Sequence, residues 1–133
     1  MMHISFGHTT PALVTGNKTV TRRDWKPRHA AHFRAGMVCG ALNTDQRVGG
    51  QKVGEIRLTA DPVYESTALA PDTDWWAEGF DFMHRRDLLV FGAGVREVWR
   101  QWLYEAPVTL WVVRFELLGL TPFGEELCAR WSA

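Results

Sequence analysis

The run VTLWVVRFELL, residues 108–118, restricts the fold more than any other stretch of the chain. It is mostly apolar and rich in Val, Trp and Phe, the composition of a central strand. A central strand needs partners along both edges, so the other segments have to supply a sheet. Several read as strands. Ile4 and Phe6 alternate in residues 3–6, and Thr19, Val20 and Thr21 make residues 18–23 extended, with Thr19, Thr21 and Arg23 on one face. Residues 37–42 form another strand, residues 53–60 alternate with period two, and Pro62 interrupts that strand before residues 63–66 resume it as an edge.

Short helices fit between these strands. Thr9 or Thr10 is placed to cap a helix with Pro11 in its first turn, closed by Gly16. Residues 28–35 are predicted helical up to Gly36. Residues 71–78 are predicted helical as well, with Asp72 and Asp74 at the positive end and Gly79 as the stop. Val95, Val98, Trp99, Trp102 and Leu103 share one helical face ahead of Pro107, and residues 121–133 make a final short helix. Residues 43–52 are a flexible loop, and VFGAGV, residues 90–95, is irregular. About five or six strands with short inserted helices predict a single α+β domain over residues 1–133, its strands curled into a closed or nearly closed β-barrel.

Fifteen basic and fifteen acidic residues give a formal net charge of zero, which excludes a molecule that binds nucleic acid by overall charge. Locally the balance is uneven. Residues 17–36 hold Lys18, Arg22, Arg23, Lys26, Arg28 and Arg34 against Asp24, whereas residues 61–84 hold six acids and no Lys or Arg. Either the two segments neutralise each other across a surface or the first is a local anion-binding footprint. Cys39 and Cys128 form no CxxC pair, so neither a disulfide framework nor a cysteine metal site is expected. His3, His8, His29, His32 and His84 have no diagnostic ligand spacing, and no phosphate-loop or dinucleotide motif occurs, so no metal and no cofactor are expected. No segment has the length and apolarity of a membrane span or a secretory leader, and a cytoplasmic protein is expected.

The segment GNKTVTRRDW carries the chemistry. Its pattern Gly-x-Lys-Thr-x-Thr-x-Arg, entering a strand after a short helix, resembles the signature of the ASCH domain family, of the PUA-like β-barrel superfamily. Phe33 and Gly36, the AEGF of residues 77–80, VREVWRQW and the strand VTLWVVRFEL resemble further family segments, so that the likeness covers most of the chain to about residue 118. One departure is Met37, where the family often has Asp. The resemblance implies a cleft that holds RNA, a modified base or a nucleoside. It implies deacylation of N4-acetylcytidine by a Lys, a Thr and a Glu matching Lys18, Thr21 and Glu78; a ribonuclease or a non-catalytic RNA or modified-base reader are the alternatives.

Those three residue types suit acyl transfer on their own chemistry. A desolvated lysine can accept a threonine's proton, and a glutamate can hold the substrate amine or protonate the leaving group. An ion pair between Lys18 and Glu78 without catalysis is the alternative. Residues three apart on a strand face oppositely, so Lys18 and Thr21 meet only if the chain bends after Gly16. Arg22, Arg23 and Lys26 are the expected anion contacts, with Arg23 toward the cleft and Arg22 structural; two solvated arginines are the alternative. Trp25 and Trp75 or Trp76 are placed either to stack on a base or to pack, while Trp99, Trp102 and Trp111 belong to the core.

Overall fold

A computed structural model describes residues 1–132. Strand β8, Thr109–Leu120, runs through the middle of one sheet. Along one edge it pairs antiparallel with β4, Lys52–Leu58, and then with β5, Val63–Ser66, on either side of the break at Pro62. Along the other edge lies β2, Val20–Arg23, with Thr21 opposite Val113 and Arg23 opposite Trp111. β3, Val38–Leu42, extends the sheet from β4, and β1, His3–Ser5, adds parallel to β3. The order is β1-β3-β4-β8-β2, with β5 beside β8.

The sheet curls into a half-barrel and does not close, which corrects the expectation of a closed or nearly closed barrel. Among the described residues no backbone ladder joins β1 to β2. Three- and four-residue edge strands offer little ladder, and a side chain spans the gap: Arg23 donates from Nη2 to the Ser5 carbonyl, its guanidinium 5.4 Å from the Phe6 ring centre.

Helices α1, Thr10–Val14, and α6, Pro122–Ser132, cover one side. They close a core of Ile4, Phe6, Leu13, Val53, Ile56, Val113 and Phe115. Ala133, the last residue of the predicted tail helix, lies outside the described residues. A second cluster, built on Ala12, Phe80, Phe82, Met83 and Val95, joins α1 to α4, Phe80–Arg85, and α5, Val95–Arg100.

Three local expectations change. The helix expected over residues 28–35 is one turn, α2 at Pro27–Ala30. Neither Thr9 nor Thr10 caps α1 with its side chain; the Thr9 hydroxyl donates to the Phe6 carbonyl. The irregular VFGAGV forms a tight hairpin of β6, Leu89–Val90, and β7, Ala93–Gly94.

The helix expected over residues 71–78 is α3, Asp74–Ala77, and α4 follows it almost at once. Gly79 allows this restart, because its φ of 85° suits glycine and a Cβ there would lie 2.5 Å from the Ala12 Cβ. Gly79→Ala adds a strained conformation to an overlap with a buried neighbour, and is expected to cost about 2–4 kcal/mol in urea unfolding. A midpoint equal to the wild type would show that Gly79 does not tie α3 to α1.

Candidate active site

Lys18 reaches its position through a bend after Gly16, the condition set above for its approach to Thr21. Gly16 has a φ of 77°, Asn17 N donates to the Ala12 carbonyl, and Thr19 N donates to the Ala77 carbonyl, so Lys18 precedes β2 and leaves the strand alternation. Its side chain, on a residue only 2% exposed, donates from Nζ to the Glu78 carbonyl at 2.8 Å and to Glu78 Oε1 at 3.0 Å. Arg22 donates from Nη1 to Glu78 Oε2 at 2.8 Å and from Nη2 to Asp74 Oδ2 at 2.7 Å. Arg114 on β8 closes the network with two bonds of 3.0 Å to the Asp74 carboxylate. Two cations of the basic segment, Lys18 and Arg22, therefore pair with two acids of the acidic one, Glu78 and Asp74, in the interior rather than across a surface.

Burial decides the electrostatics. Desolvation lowers the Lys18 pKa; Glu78 opposes this, while the nearby charges of Arg23 and Arg22 add to it. For Arg22 desolvation works against the charge, but Glu78 and Asp74 outweigh it and hold the guanidinium above its ordinary value. Asp74 behaves likewise: burial disfavours its charge, and the bonds from Arg114 and Arg22 overcome that and lower its pKa. Arg23 has no hydrogen-bonded carboxylate, and desolvation brings it down to about 10 despite the field of Glu78. Arg22 Nε is buried without a hydrogen-bond partner among the described residues.

Lys18, Thr21, Arg22, Arg23 and Glu78 line one cavity of about 370 Å³. Lys18 and Thr21 make no hydrogen bond to each other; Thr21 Oγ1 instead accepts from Arg23 Nε at 3.0 Å. Both arginines line this cavity, and Arg22 is held at the same time in the buried ion network by Glu78 and Asp74. The apolar wall includes Phe6, Phe80, Val98, Phe91, Leu110 and Trp102.

The other expected contacts lie elsewhere. Trp25 stacks on Phe33, with ring centres 4.4 Å apart and planes at 17°, and its carbonyl accepts from Trp111 Nε1. Lys26 is exposed beside it at the start of α2. Trp75 packs edge-on to Phe80 and Trp99, and its Nε1 donates to Asp81. Both tryptophans are half-buried against these neighbours, Trp76 is exposed, and none of the three lines this cavity.

Trp102, read from periodicity as core, is half-buried and lines the cavity, 5.9 Å from the Arg22 guanidinium. The helical stripe marked its face correctly, but a stripe does not say whether a core or a cavity lies opposite it. Asp74 and Arg114 were also missed as members of the network. An acid in the first turn of a helix already has a local explanation, and Arg114 gave no signal beyond a charge inside an apolar strand. Among the described residues no group of three or more His, Cys, Asp or Glu is placed to hold a metal, and no helix is long and apolar enough to cross a membrane.

No protein-family model matches the chain, and no curated protein resembles it in sequence. Among solved structures it is similar to protein EF3133 from Enterococcus faecalis V583, described by the family model DUF984, with 18% identity and a TM-score of 0.56 over 92% of this chain and 84% of that one. At this identity the likeness shows the fold alone: a small α+β domain built on a half-barrel.

Proposed function

We propose that this protein is an ASCH-type, PUA-like amidohydrolase that removes the acyl group from an N-acylated cytidine-type nucleoside, with N4-acetylcytidine as its concrete substrate. The observation that carries the reading is that Lys18, Thr21 and Glu78 line one cavity with apolar walls. Its volume of about 370 Å³ suits a nucleoside rather than a polynucleotide.

In the proposed reaction Thr21 Oγ1 attacks the amide carbonyl carbon and its proton passes to Lys18 Nζ, while the carbonyl π electrons move to the oxygen. Collapse of the tetrahedral intermediate breaks the C–N bond. Lys18 returns the proton to the departing amine, which leaves as cytidine, while the acetyl group stays behind as an ester on Thr21. Water then cleaves that ester by the same proton transfers and releases acetate.

The network supports the roles of Lys18, Glu78 and Arg23. A neutral Lys18 would use both its hydrogens on the Glu78 carbonyl and Oε1, leaving its lone pair for the incoming proton. Both Glu78 oxygens are occupied, one by Lys18 and one by Arg22, so Glu78 acts as a positioning residue for the amine. Arg23 Nε already donates to Thr21 Oγ1 and supplies positive charge where negative charge develops. Lys18 and Thr21 have to draw together in the complex, a tightening common at catalytic hydrogen bonds.

Incubation with N4-acetylcytidine is expected to release cytidine and acetate in equal amounts, at a rate that rises with pH as Lys18 loses its proton. The missing Lys18–Thr21 bond favours one other reading, a non-catalytic reader of modified bases in the same cavity. Saturable binding of N4-acetylcytidine without any product would select that reader and end the hydrolytic assignment.

A further inference from the structure

The hairpin of β6 and β7 carries a residue that its turn does not favour. Phe91 and Gly92 connect the two strands with φ of 50° and 80°. A two-residue connection with both φ values positive is the type I′ pattern, which favours Asn-Gly or Asp-Gly. Gly92 meets it freely. Phe91 does not, because a bulky side chain in the left-handed region is strained.

Burial does not offset that strain. Phe91 is 87% exposed, more than any other large hydrophobic side chain described. Its ring meets His8 edge-on at 5.3 Å, yet it also lines the cavity that holds Lys18, Thr21 and Glu78. Phe6, Phe80 and Trp102 wall the same cavity, the last two with ring centres 5.5 Å apart. A strained, solvent-facing aromatic at the rim of an aromatic-walled cavity points to an occupant that covers it.

We propose that Phe91 is a ligand-contacting residue whose ring lies over the flat face of a heteroaromatic ring bound in this cavity. A planar occupant presents a π face to Phe91 and to the aromatic wall together, which a saturated ring of the same size cannot do. The inference rests on the reading of the cavity as a nucleoside-type site and adds to it the residue that selects flat rings.

Calorimetric titration of the whole protein with three probes tests it: N4-acetylcytidine, 2-acetamidopyridine as a flat acylated amine that is not a nucleoside, and N-cyclohexylacetamide as its saturated counterpart. Phe91→Ala and Phe91→Leu are expected to weaken both flat probes by about tenfold, with Phe91→Tyr within about twofold of wild type. The saturated probe is expected to be indifferent to all three changes. Because Phe91 is exposed, these variants should fold, and Phe91→Asn should raise the melting temperature by relieving the turn.

Phe91-dependent binding of 2-acetamidopyridine without binding of N4-acetylcytidine would keep this inference and remove the nucleoside reading. N4-acetylcytidine bound equally well by wild type and Phe91→Ala would do the reverse. No flat probe bound by the wild type would overturn both.

Discussion

Thr21→Ala is expected to lower N4-acetylcytidine turnover by on the order of 10³-fold or more, because it removes the atom proposed to form the acyl bond. The side effect on stability should be small. The hydroxyl accepts one hydrogen bond, from Arg23 Nε, and the loss of that acceptor costs about 1–2 kcal/mol. Lys18→Met, which keeps the apolar stem and deletes the amine, is expected to match the loss of activity, since nucleophile and base act as one unit. Combining the two should add little further. A kcat/KM within a few-fold of wild type in either variant would remove that residue from the mechanism.

Lys18→Met carries a second readout that does not involve catalysis. The pKa of Lys18 is lowered in the folded state from its ordinary 10.5, so over the window between the lowered value and 10.5 the unfolded chain binds more protons than the native one. Stability from this group therefore rises as pH is raised through that window. Urea unfolding at several alkaline pH values should show this slope in the wild type and its loss in Lys18→Met; identical slopes would show that Lys18 is not desolvated as described.

Asp74→Ala is expected to destabilise the fold by about 3 kcal/mol or more, read as a lowered urea midpoint, because it strips a buried ion network of the acid that joins two arginines. Arg22 would keep Glu78, whereas Arg114 would lose both of its bonds to a carboxylate. The pH dependence follows from the lowered Asp74 pKa. Its contribution is complete above the ordinary value of 3.8 and is lost as the pH falls from there through the folded-state value. Asp74→Asn should remove that share of the acid sensitivity. An unchanged midpoint in Asp74→Ala would mean that the network does not hold α3 against β2 and β8.

How much of this was legible in the sequence varied with how local the cause is. The apolar run at residues 108–118 identified β8 because alternating and continuous apolar patterns follow from the strand's own two faces. Pro62 marked the break between β4 and β5 for an equally local reason, since proline lacks the ladder donor. The bend before β2 was required as soon as Lys18 and Thr21 were asked to meet, and Gly16 provides the backbone for it. The hairpin at residues 89–94 was missed because its turn holds Phe-Gly in place of Asn-Gly, and α4 was missed because a glycine that ends one helix conceals the start of the next.

The sequence by itself determined the six strands of the main sheet, the mixed α+β class and the polar groups available around residues 18–23, because backbone preference and side-chain periodicity act over a few residues. Only the tertiary structure decided that the sheet stays open with Arg23 bridging to Ser5, that Trp102 and not Trp25 or Trp75 walls the cavity, and that Asp74 and Arg114 complete the ion network. Those outcomes depend on which faces meet across tens of residues, and a charge or a ring acquires its partner, its burial and its pKa only once those faces have met.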